Sequence, residues 1–193
     1  MAQHVVLWDP LVRAFHWTLA AAFVLNRFFT EAGDRPHQVL GYVAVTLIAL
    51  RVAWGFAPTG AARWAHFWPT GPRIAAHLRE IKQGRPHRRL GHSPLGALVV
   101  VTMMSGIVAL GITGYAMQEI DYFWGDERIE RLHSLIADAV TALAACHVVA
   151  AVIQSLWLGE NLPLSMVTGR RRLLSSQPIR SRMTEKDSPR TDD

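Results

Sequence analysis

Four long and nearly uncharged apolar stretches run through the chain, at Val12–Phe29, Val39–Ala57, Pro94–Met117 and Leu135–Leu158. The last three approach or exceed the roughly 20 residues that a helix needs to cross the hydrocarbon core of a bilayer. Half of all residues are hydrophobic and mean hydropathy is positive, a balance that soluble basic domains rarely show. The expected fold class is all-α: a transmembrane four-helix bundle. The first stretch is interrupted by Asn26 and Arg27, and Leu19–Phe23 by itself resembles the apolar region of a signal peptide. A basic cluster before it and a small-residue cleavage pattern after it are both missing, so it reads as a span.

Orientation follows from the basic residues of the loops, because positive flanks stay on the cytoplasmic side during insertion. Thr59–His92 carries seven basic residues (Arg63, Arg73, Arg79, Lys82, Arg85, Arg88 and Arg89) against one acid, Glu80. The other two loops are acidic. Thr30–Pro36 holds Glu31 and Asp34 against Arg35, and Gln118–Leu132 holds five acids against Arg128 and Arg131. After the fourth stretch come Arg170–Arg172, Arg180, Arg182, Lys186 and Arg190. Both termini are therefore expected in the cytoplasm, in a multi-pass protein of a bacterial inner membrane. An isoelectric point near 10 follows from these loops, and no nucleic-acid motif accompanies them. Residues from Gln177 onward are polar and charged, so the chain divides into a membrane domain over residues 5–172 and a cytoplasmic, disordered tail over 173–193.

The lone cysteine, Cys146, excludes a disulfide within the chain. Leu143 stands where a covalent haem-attachment motif would place its first cysteine before Cys146-His147, so any haem held here is non-covalent.

Nine histidines are present. Four fall at membrane depth, where an ionisable ring needs a partner or a purpose: His16, His37, His133 and His147. His4 lies in the N-terminal segment, and His66, His77, His87 and His92 lie in the basic loop, where solvated side chains are the default. His133 and His147 stand fourteen residues apart on one helix, about 40° from alignment and about 21 Å apart along the axis. Chain direction then sorts the four by depth, His16 with His147 toward the cytoplasm and His37 with His133 toward the outside. Two facing imidazoles, repeated at a second depth, are what two six-coordinate haems require. Zinc fits less well, since two histidines per level do not make a tetrahedral site.

Haem propionates need cationic or hydrogen-bonding partners. Arg27 approaches the level of the outer pair and Arg51 that of the inner pair, and either arginine could instead snorkel to the nearer interface. Gly41, one turn after His37, leaves room for a flat macrocycle. Gly106, Gly111 and Gly114 smooth the third stretch, which close helix packing explains equally well. Asp138 either relays protons or bonds a neighbouring helix.

The strings Trp8-Asp9-Pro10, Arg13-Ala14-Phe15-His16-Trp17, Pro36-His37-Gln38-Val39-Leu40-Gly41-Tyr42 and Arg51-Val52-Ala53-Trp54-Gly55-Phe56 resemble the prokaryotic cytochrome b561 family. His92-Ser93-Pro94-Leu95-Gly96, Leu132-His133, Cys146-His147, Glu160-Asn161-Leu162 and Met166-Val167-Thr168-Gly169 extend the likeness over residues 5–172. That family includes the b-type cytochrome subunit of nickel–iron hydrogenases. The resemblance implies four membrane helices and two haem b groups, with ligands carried over onto His16, His37, His133 and His147. It also implies electron exchange between the quinone pool and a periplasmic redox partner, whether a cytochrome c, a hydrogenase or another dehydrogenase. A stand-alone superoxide:quinone oxidoreductase is the alternative within the family. A haem-free anchor or transporter is the alternative outside it. The chain could also form a homodimer in the membrane.

Overall fold

The computed structural model describes residues 3–6, 9–56, 64, 68–83, 93–159 and 161–173, with backbone alone for 3–6 and 170–173. Helix α1 spans Pro10–Phe28, α2 Arg35–Gly55, α3 Gly71–Lys82, α4 Pro94–Glu119, α5 Glu127–Leu158 and α6 Leu162–Thr168.

The helix starts are written locally. Asp9 precedes Pro10 and accepts a hydrogen bond from Leu11 N at 2.8 Å. Ser93 precedes Pro94 and accepts from Gly96 N at 3.1 Å. In both, an oxygen-bearing cap satisfies an orphan amide while proline occupies a position that needs no donor. Asp126 caps α5 through Arg128 N at 2.8 Å, and Glu127 and Glu130 follow in its first turn. Acidic groups suit the positive end of a helix, so α5 begins about two turns before the apolar stretch expected from Leu135. It ends at Gly159, whose φ of 66° is left-handed.

Among the described residues, α2, α4 and α5 are long and apolar enough to cross a membrane. Helix α1 has 19 residues and includes Arg13, His16, Asn26 and Arg27, and it is not among the three. Its length of about 28 Å nevertheless approaches that of a hydrocarbon core. Packing runs from α1 to α2, from α2 to α4 and from α4 to α5. Phe28, Leu50, Ile112, Leu135, Val148 and Leu156 are exposed, as expected of helices whose outer faces meet lipid rather than water.

The core is a small apolar layer of Ala44, Ile48, Ile107 and Val140, with Leu19, Phe23, Met104, Leu110 and Ile136 against it. Val140 is seven residues from both His133 and His147, about 10 Å along the helix from either. The layer therefore separates the two histidine levels on α5. Two glycines of α4 make it tight. A Cβ on Gly106 would fall 2.5 Å from Val140 Cγ2, and one on Gly111 would overlap Val45. Helix packing is thus what these two glycines serve.

Beside the helices the chain forms one short ribbon. β1 (Gln3–Val6) pairs antiparallel with β2 (Arg170–Leu173), with Val6 opposite Arg170 and Gln3 opposite Leu173. Two four-residue segments from opposite ends of the chain carry no periodicity that distinguishes a strand from a loop. Only the return of the chain through α6 brings them side by side. The expected tail beyond residue 173 lies outside the described residues.

Candidate functional site

Helix α2 carries His37 in its first turn and α5 carries His133 in its second, so both rings sit near the same end of the bundle. Their centroids are 6.2 Å apart and their planes are inclined by 55°. Two imidazoles bound on opposite sides of one metal ion, through bonds of about 2 Å each, hold their ring centres roughly 6 Å apart. The separation at this level therefore fits a shared metal between the rings.

Hydrogen bonds to the far side of each ring sharpen the fit. Thr113 Oγ1 lies 2.8 Å from His133 Nδ1, and Thr30 Oγ1 lies 3.4 Å from His37 Nδ1. Both hydroxyls already donate to a backbone carbonyl, Thr113 to Ala109 O at 2.9 Å and Thr30 to Asn26 O at 2.7 Å. With its proton committed to Ala109 O, the Thr113 hydroxyl offers His133 a lone pair, which favours a proton on Nδ1 and a lone pair on Nε2, the arrangement in which an imidazole can bind a metal. The Gly114 Cα stands beside this ring, where an added Cβ would lie 3.5 Å from His133 Cε1.

At the other end, His16 on α1 and His147 on α5 lie close enough for their charges to interact. His16 Nδ1 is buried without a hydrogen-bond partner among the described residues. Leaving a buried ring nitrogen unsatisfied costs about 1–3 kcal/mol. Among the described residues, no three His, Cys, Asp or Glu side chains gather into one cluster. Among the described residues the ring-to-ring contact between these histidines is that of His37 with His133.

Of the two arginines expected near propionates, Arg27 reaches across to α5. Its Nη2 is 2.7 Å from Asp138 Oδ1 and its Nε donates to Thr141 Oγ1 at 3.2 Å. Asp138 thus bonds a neighbouring helix. The Arg51 guanidinium is 4.8 Å above the Trp64 ring, while the Trp64 indole donates to Val52 O at 3.1 Å. At Gly41 an added Cβ would meet, among the described residues, only Asn26 Nδ2, at 3.9 Å. His77 is buried and faces Glu80 at 3.7 Å. His66, His87 and His92 lie outside the described residues, as does the side chain of His4.

Thr30, Thr113 and Asp138 as the partner of Arg27 were not singled out in the sequence, nor was the contact that closes the inner end. There Arg13 Nη1 donates to Val167 O at 2.7 Å and Trp17 Nε1 to Met166 O at 3.2 Å. Thr113 did leave a signal: it is a polar residue within a long apolar span, where hydroxyls commonly bond across helices.

Residues 7–169 match the family described as Prokaryotic cytochrome b561. The chain is also similar to a probable Ni/Fe-hydrogenase B-type cytochrome subunit of Rhodobacter capsulatus. The two are 24% identical over 212 residues, covering 86% of this chain and 81% of that relative.

Proposed function

The chain belongs to the prokaryotic cytochrome b561 family, and from that premise we propose that it binds two haem b groups. One is held by His16 and His147, the other by His37 and His133, and the protein passes electrons between the quinone pool and a periplasmic redox partner. Family membership makes it a bacterial membrane cytochrome with haem b and a role in electron transport. The single observation that carries the finer reading is the facing of His37 and His133 at 6.2 Å.

The proposed topology has four spans with both termini in the cytoplasm. Pairing of β1 with β2 supports it, because ends that lie side by side require an even number of crossings. With α2, α4 and α5 as spans, α1 is the fourth. The acidic outer loops then lie beside the His37 and His133 level, and the basic loop beside His16 and His147.

When bound, haem supplies the one-electron chemistry, and the protein supplies orientation and tuning. In this reading His37 and His133 would hold the outer haem through Nε2, with Thr30 and Thr113 beside their Nδ1 atoms. The apolar layer of Ala44, Ile48, Ile107 and Val140 packs between the two levels. Of the two arginines, Arg51 is the one proposed for a propionate, because Asp138 already neutralises Arg27. Likeness to a probable hydrogenase cytochrome subunit supports a hydrogenase or related dehydrogenase as the periplasmic partner.

The test is a reduced-minus-oxidised spectrum of detergent-purified protein, with haem extracted and counted per chain, followed by addition of a quinol analogue. Two extractable haems that the quinol reduces are expected. One haem or none would remove the reading.

A further inference from the structure

Helix α4 supplies none of the four paired histidines, yet it makes the shortest hydrogen bond to any of their rings, from Thr113 to His133. We infer that Thr113 is a positioning residue that holds His133 in the Nδ1–H form and makes it the more strongly electron-donating ligand of the outer haem, lowering that haem's potential. This rests on the two-haem reading above.

Thr113 is buried, and its hydroxyl proton is committed within its own helix, to Ala109 O at 2.9 Å and Leu110 O at 3.2 Å. A carbonyl oxygen has no proton to give, so the hydroxyl must donate there. Its oxygen then has only lone pairs to offer His133, and the 2.8 Å contact is an N–H donated by the ring. Such a bond pulls the Nδ1 proton outward and raises the basicity of Nε2, and a more basic axial ligand favours the oxidised metal.

Among the described residues the remaining rings show no equal contact. Thr30 reaches His37 Nδ1 only at 3.4 Å, a distance at which a hydrogen bond is weak. At the inner level, His16 Nδ1 meets no acceptor among the described residues. The two levels are therefore electronically unequal, with the lowering influence on the periplasmic side. That inequality favours electron movement from the outer haem toward the inner one, the direction needed when a periplasmic donor reduces quinone.

The test is redox potentiometry of the purified holoprotein carrying Thr113→Val, which keeps shape and removes the acceptor, beside Thr113→Ser, which keeps it. The outer haem is identified as the one lost in His133→Ala and retained in His147→Ala. In Thr113→Val both haems should remain, the outer midpoint should shift positive and the inner should stay, and Thr113→Ser should return the wild-type value. Should the valine variant not assemble, Thr113→Ala removes the same oxygen without added volume and is read in the same way. Two haems with an unmoved outer midpoint, or equal shifts in the valine and serine variants, would overturn the inference and leave the two-haem reading intact. Fewer than two haems in the wild type would instead overturn the parent reading.

Discussion

Arg27 on α1 and Asp138 on α5 meet at 2.7 Å, with Thr141 on the second guanidinium nitrogen, and so join the first and last long helices of the bundle. The pair lies on α5 between the two histidine levels, five residues after His133 and nine before His147. An arginine at that depth would be costly alone. Its carboxylate partner explains its presence without requiring a propionate.

Replacing Asp138 by Asn leaves the guanidinium without its counter-charge. Both side chains are partly exposed in the isolated chain, so the loss is moderate, about 1 kcal/mol, the scale of polar contacts measured between membrane helices. Thermal unfolding in detergent should show the decrease. The exchange Arg27→Asp with Asp138→Arg should restore part of it, and an unchanged melting profile in Asp138→Asn would show that the pair adds no stability.

Single replacement of each histidine separates the levels. His133→Ala or His37→Ala should lower the haem count from two to one, as should His16→Ala or His147→Ala. Spectra of the outer and inner groups should differ in the remaining absorbance. Equal loss of both haems from every variant would point to one shared site.

Gly106 lies against Val140 in the layer between the levels. Gly106→Ala forces a Cβ to 2.5 Å from Val140 Cγ2, an overpacking that costs about 1–3 kcal/mol. Adding Val140→Ala should relieve it, and a double-mutant cycle of thermal stabilities measures the coupling. Additive effects would mean that the helices separate freely instead.

Topology is testable with cysteines placed in a Cys146→Ala background. Glu31→Cys should react from outside intact cells with a membrane-impermeant maleimide. Gln3→Cys and Arg79→Cys should react only after permeabilisation. Labelling of Gln3→Cys in intact cells would place α1 on one side of the membrane and remove the fourth span.

Much of this architecture is legible along the chain because bilayer crossing depends on local properties. Length, hydropathy, and the Asp-Pro and Ser-Pro starts of α1 and α4 act within a few residues, and helix geometry alone puts His133 and His147 on a shared face of α5. Loop charge, likewise local, is the basis of the proposed orientation. The early start of α5 escaped that reading because Asp126, Glu127 and Glu130 look like loop residues until their capping role is seen.

Contacts between helices were decided by tertiary structure. Which threonine bonds which histidine depends on rotation of α4 against α5 by a fraction of a turn, and hydropathy says nothing about rotation. Asp138 had several partners within reach by sequence, and only the approach of α1 selected Arg27. The ribbon of β1 and β2 joins residues about 170 positions apart, and its hydrogen bonds exist only once the bundle has brought the ends together. The sequence by itself determined a membrane helix bundle and the fourteen-residue spacing of His133 and His147 on one helix, because those properties belong to single helices. The tertiary structure alone decided how the rings face and which hydroxyls hold them, because hydrogen-bond geometry belongs to pairs of helices.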